Sequence, residues 1–130
     1  MIYLDSCVVI SAIEDPGPFG NLVRERLSAS DQQLVISDLV KMECLVGCEQ
    51  RADLSLRDEY LEFFDALPSV EMLEDCYFRA AELRGRKSLK AVDALHVSVA
   101  QLAGCSYFWT DDSRLANSMP GFAVNLRTDG

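Results

Sequence analysis

Asp5, Glu43, Asp93 and Asp112 are the residues whose type and placement point to chemistry. Asp5 closes the apolar run Ile2 to Leu4, and Asp111 and Asp112 follow the aromatic run Tyr107-Phe108-Trp109 and Thr110. If both runs are strands of an open parallel sheet, these acids lie at its carboxyl rim, where such sheets bind ligands. Glu43 is unusual in another way. Three and four residues from it stand Leu39, Val40, Val46 and Gly47, so it interrupts the inward face of a helix, where an ionised carboxylate is costly unless paired or bound to metal. Asp93 repeats the pattern beside Val92 and Leu95 near the start of a strongly apolar helix. Any one of these acids is equally explained as a helix cap, a dipole partner or a solvated side chain. Together they would repel one another, and a hard cation with oxygen ligands resolves that repulsion.

The elements that must position these acids alternate along the chain. Ile2–Leu4 reads as a strand running into a helix over 6–13, and Glu14-Asp15-Pro16-Gly17-Pro18-Phe19-Gly20 as a loop. Residues 21–27 carry apolar positions at helical spacing. Gln33 to Ile36 is a strand candidate, with Ser37 as the N-cap of a helix reaching about Cys48. A helix is expected over 54–67 before Pro68, a short strand over 70–73, and a helix over 75–83 stopped near Gly85. A helix over 89–103 ends at Gly104, the aromatic strand follows, then a short helix over 114–118 and a last strand over 123–126. Strand–helix alternation throughout predicts a three-layer α/β/α domain, with a central, mainly parallel sheet of four to five strands.

A chain of 130 residues with 49% hydrophobic content supports one domain, spanning 1–130, with a single core. The net charge of −9 disfavours broad adhesion to nucleic acid or an anionic membrane. It leaves room for local phosphate attraction by the run Arg84, Arg86, Lys87, Lys90, and by Lys41 and Arg114. Five cysteines, odd in number and set in apolar stretches, read as reduced buried thiols of a cytoplasmic protein rather than a disulfide or zinc framework. No segment predicts secretion or membrane insertion.

Four segments taken in order resemble the PIN-domain ribonucleases of the VapC type, the toxin halves of bacterial toxin–antitoxin pairs. They are Tyr3-Leu4-Asp5-Ser6, Ser37 to Glu43, Asp93-Ala94-Leu95-His96-Val97-Ser98-Val99-Ala100, and Gly104-Cys105 leading into Phe108-Trp109-Thr110-Asp111-Asp112-Ser113-Arg114-Leu115. The resemblance implies Mg²⁺ or Mn²⁺ held by Asp5, Asp93 and Asp112 with Glu43 on a second ion, hydroxyl support from Ser6 and Thr110, and RNA as substrate. It further implies a cognate antitoxin, a homodimer, and operator DNA reached only through the antitoxin. Two positions depart from the family pattern: Cys7 stands where a small polar residue is frequent, and Asp111 where asparagine is, which makes Asp111 a rival to Asp112. His96, one turn after Asp93, is expected to pack the helix rather than act as a base. The competing readings are a non-catalytic subunit of the same fold acting through partner and operator DNA, and a receiver-like phosphoryl-transfer domain. The segment near Val70 lacks the aspartate that a receiver needs.

Overall fold

The computed structural model describes residues 1–129. The elements run β1 (Ile2–Leu4), α1 (Ser6–Glu14), α2 (Pro18–Ala29), β2 (Leu34–Val35), α3 (Asp38–Arg51), α4 (Leu54–Asp65), α5 (Glu74–Lys87), α6 (Ala91–Leu102), β3 (Tyr107–Thr110), α7 (Ser113–Ser118) and β4 (Ala123–Asn125). The sheet has four strands in the order β2-β1-β3-β4, all parallel. Its inner strands are short and apolar because both faces are covered. Tyr3 and Phe108 share one face and stack with centroids 5.3 Å apart and planes 13° apart, and α6 covers that face through His96. Ile2, Leu4 and Trp109 point to the other, where Arg26 of α2 lies 5.2 Å from the Trp109 ring. Stacked aromatic pairs of this kind add about 0.5–1.5 kcal/mol beyond the area they bury. They also fix β1 against β3, the pairing that matters most for the site.

Several elements differ from their sequence expectation for identifiable reasons. The loop predicted over 14–20 is shorter, because α2 begins at Pro18. A proline in the first helical turn loses nothing, its missing N–H being unpaired there in any case. Gly20 is buried within that first turn, and a Cβ on it would sit 2.0 Å from the Asp15 carbonyl oxygen, so glycine permits the close approach of α2 to the end of α1. The strand predicted over 70–73 does not form. Only a single bridge joins Ile36 to Ser69, closed by Ile36 N–H to the Pro68 carbonyl and Val70 N–H to the Ile36 carbonyl. Beyond it Glu71 and Leu73 are exposed, with Leu73 already at the N-cap position of α5. Helix α5 passes through Gly85 and ends only at Ser88, whose φ of 56° terminates it in the left-handed conformation. Tyr107 at the start of β3 is exposed, so two of the three consecutive aromatics are core. Cys44, Cys48, Cys76 and Cys105 are buried and Cys7 is half-buried, all as free thiols. Among the described residues no helix is long and apolar enough to cross a membrane.

Candidate functional site

Because the strands are parallel, β1 and β3 end at the same rim, and the next residues of the chain carry the acids. Asp5 extends the ladder by one bond, its N–H meeting the Trp109 carbonyl at 2.9 Å, and then caps α1. Its side chain is buried and fully engaged: Oδ1 accepts from the Ser6 N–H at 2.8 Å and Oδ2 from the Thr110 hydroxyl at 2.8 Å. Thr110 Oγ1 also receives the Asp112 N–H at 3.1 Å. One threonine thus ties the end of β1 to the start of α7. Asp112 is the N-cap of α7, with Oδ1 accepting from Arg114 N–H and Leu115 N–H. The Cys7 thiol accepts the Asp111 N–H and lies 3.6 Å from Thr110 Oγ1, taking the part of a small polar side chain at this position.

Glu43 enters from α3. The buried stripe of that helix is Val40, Cys44 and Cys48, so Glu43 stands beside the inward face rather than in the middle of it, and Val46 is exposed. The carboxylate is half-buried and hydrogen-bonds His96 Nε2. Asp93 lies in the first turn of α6 and, with Asp112, lines a cleft of about 310 Å³. Lys87, Lys90 and Arg114 stand on the walls of that cleft. Asp111 turns elsewhere, its Oδ2 3.5 Å from Arg127 Nη2. The four predicted acids therefore occupy one rim, contributed by four separate elements. Among the described residues none of the four has a Lys or Arg nitrogen within ion-pair distance; Lys41 pairs instead with Asp38.

The electrostatics follow from that arrangement. Burial pushes the Asp5 carboxyl above the usual range, partly opposed by His96, Thr110 and the Ser6 amide. Asp93 is also raised, first by burial and then by the negative charges of Asp5 and Asp112. Glu43 moves the other way, held down chiefly by its bond to His96, with help from the Ser6 hydroxyl. Hard oxygen donors at one rim, with the ionised forms of Asp5 and Asp93 disfavoured chiefly by burial, fit a divalent cation. One donor atom each from Asp5, Glu43 and His96 lies within 4.8 Å of the others, and with both His96 nitrogens hydrogen-bonded the carboxylate oxygens are the atoms left for an ion.

His96 is the residue that sequence reasoning undervalued. It is buried, as a packing residue should be, but both ring nitrogens are engaged: Nδ1 with the Tyr3 hydroxyl at 2.7 Å and Nε2 with Glu43. Ser37 differs from expectation too. It holds the N-cap position of α3 without a side-chain capping bond, because its hydroxyl bonds Tyr3 at 2.7 Å. A buried tyrosine must find a partner for its O–H. A tyrosine in β1, a serine ahead of α3 and a histidine in α6 were the signal, readable only once the three were known to meet.

A family model described as PIN domain matches residues 2–118. Among solved structures, a toxin–antitoxin complex from Klebsiella pneumoniae superposes with a TM-score of 0.81 at 21% identity, covering 97% of this chain and 98% of that one. Mycobacterium tuberculosis VapC20, described as a Sarcin-Ricin loop cleaving toxin, gives 0.76 at 15% identity over 91% and 95%. VapBC2 from Rickettsia felis, bound to a DNA fragment from its promoter, gives 0.74 at 21% over 95% and 96%. At these identities the likeness is one of fold. A search of curated protein sequences returned no match.

Proposed function

This chain belongs to the PIN-domain family, and from that premise we propose that it is a Mg²⁺- or Mn²⁺-dependent ribonuclease, the toxin of a toxin–antitoxin pair. The observation that carries the reading is the convergence of Asp5, Glu43, Asp93 and Asp112 at one rim without a Lys or Arg at contact distance. Asp112 rather than Asp111 is the fourth acid of this reading, because it shares the cleft with Asp93 while Asp111 is drawn to Arg127. A divalent cation held by Asp5, Glu43, Asp93 and Asp112 would supply activation of the attacking water and stabilisation of the departing oxygen.

The residues of the chain prepare that chemistry. Thr110 and the Ser6 amide fix the Asp5 carboxylate through both oxygens, and the first turn of α7 fixes Asp112. Asp93 has its ionisation disfavoured until positive charge arrives. Lys87, Lys90 and Arg114 on the cleft walls draw the phosphates of an RNA strand toward the acids. No protein nucleophile is needed. The toxin assignment draws on the neighbours, of which one is a toxin–antitoxin complex and another was solved on promoter DNA. By analogy the partners are an antitoxin, a second copy of the chain, and operator DNA through the antitoxin. Free cysteines throughout suit a reducing cytoplasm.

The test is cleavage of structured RNAs with Mg²⁺ or Mn²⁺ and after chelation, comparing wild type with Asp5→Asn. Activity should vanish on chelation and fall more than about 100-fold in the variant, beyond what outer-shell changes cause. Equal activity in both proteins would sink the acid-site mechanism, and no cleavage by either would leave the reading of a non-catalytic binding subunit.

A further inference from the structure

We propose that His96 is a positioning residue, which holds Glu43 in place for cation binding and is itself held by Tyr3 and Ser37. The inference rests on the cation-dependent reading above. A continuous chain of side-chain hydrogen bonds runs from the core to the rim: Ser37 Oγ to Tyr3 Oη at 2.7 Å, Tyr3 Oη to His96 Nδ1 at 2.7 Å, and His96 Nε2 to Glu43 Oε1. Ser37, Tyr3 and His96 are all at most 1% exposed. The chain joins β1, the residue ahead of α3, α6 and the middle of α3, so its geometry is set by the packing of the whole domain and not by one loop.

Its direction follows from chemistry. An ionised Glu43 can only accept, so Nε2 carries the proton. On a neutral ring Nδ1 is then the acceptor and the Tyr3 hydroxyl the donor, which leaves Ser37 to donate to Tyr3 Oη. Each ring nitrogen is used once and the Tyr3 hydroxyl twice, as donor and acceptor, and none is left unpaired. The chain ends at one oxygen of Glu43, Oε1. Glu43 needs such support more than its partners do. Asp5 and Asp112 are pinned by backbone N–H groups, whereas Glu43 sits beside the buried stripe of its helix on a long side chain that is 31% exposed. A histidine serving only to fill the core has no need to end its hydrogen bonds on a carboxylate at the rim. Its Nε2 also lies 3.8 Å from Asp5 Oδ1, so one ring nitrogen faces both acids.

The experiment measures Mn²⁺ binding by calorimetry, and kcat and KM for RNA cleavage, in wild type, His96→Leu, His96→Gln, Tyr3→Phe and Asp5→Asn, each checked for folding by circular dichroism. His96→Leu should weaken Mn²⁺ binding by roughly 10–100-fold, the range for removing an outer-shell partner, with the loss in kcat and KM unchanged. His96→Gln places an amide N–H near the Nε2 position and should recover most of the binding. Tyr3→Phe removes the far anchor alone and should fall between wild type and His96→Leu. Wild-type Mn²⁺ affinity in a folded His96→Leu overturns the proposal, as does a loss that His96→Gln fails to recover. If His96→Leu does not fold, Tyr3→Phe decides: weakened binding supports the proposal and unchanged binding overturns it. Asp5→Asn separates the two levels, since unchanged Mn²⁺ binding there removes the cation site itself, and weakened binding there beside an unaffected His96 series removes the role of His96 alone.

Discussion

Glu14 and Glu43 are both glutamates close to the core, and their surroundings differ in kind. Glu14 ends α1 and is answered on both oxygens, by Arg51 at 3.3 Å and by the hydroxyl of the buried Tyr60. Three helices, α1, α3 and α4, are clipped together by that carboxylate, and its charge has a cation beside it. Glu43 meets an imidazole and the Ser6 hydroxyl rather than a Lys or Arg, and at the same rim Asp5 and Asp112 add charge of the same sign to Asp93. A carboxylate that finishes its own pairing within the fold serves architecture. A group of them left short of positive charge holds the fold in a less stable state than it could have, and that deficit marks the site.

The comparison would break most visibly at the fourth acid. Asp112→Asn should cost more than about 100-fold in RNA cleavage, whereas Asp111→Asn, which loses a long contact with Arg127, should stay within roughly threefold. The reverse order would move the site to Asp111. At the architectural end, Tyr60→Phe should lower stability by about 1–2 kcal/mol in denaturant melts and leave cleavage per folded molecule unchanged. A loss of activity there would mean that the clip and the rim are one unit.

The smallest effect has the most telling sign. In metal-free protein at neutral pH, Asp93→Asn should raise Tm by roughly 2–4 °C, a change of about 0.5–1 kcal/mol for a chain of this size. Asp93 has its folded pKa raised above the unfolded value, so the fold takes up protons more readily than the unfolded chain between the two values, and stability from this group falls as pH rises through that window. The advantage of Asp93→Asn should therefore open as the pH climbs from about 4 and level off once Asp93 is ionised in the fold. Saturating Mn²⁺ should reverse it, which scanning calorimetry with and without the ion would check.

Much of this was legible in residue order, and the exceptions share a cause. The positions of Asp5 and Asp112 followed from apolar runs ending in acids, because in a parallel sheet the strand end and the ligand crevice coincide. Pro18 reads as part of a break and instead starts α2, since a proline at the first turn and a proline in a loop look alike along the sequence. Val70 to Leu73 had strand composition and no neighbouring strand to pair with beyond the single bridge at Ile36. Ser37 was read as a local cap, and its hydroxyl went to Tyr3. The environment of His96 was out of reach for the same reason: its two partners are 93 and 53 residues away. Spacing along a helix identifies the face a residue occupies, not what waits there.

The order of the sheet carries a consequence for how the molecule is made. Asp5 is built in the first moments of synthesis, but the carbonyl of Trp109 and the hydroxyl of Thr110 that fix it arrive about a hundred residues later, several seconds at ribosomal speeds of about 5–20 residues per second. Through that interval β1 has no β3 to lie against, and the rim lacks Asp112 altogether. On the function proposed above, the acid site is completed only when the last third of the chain has folded onto its first few residues.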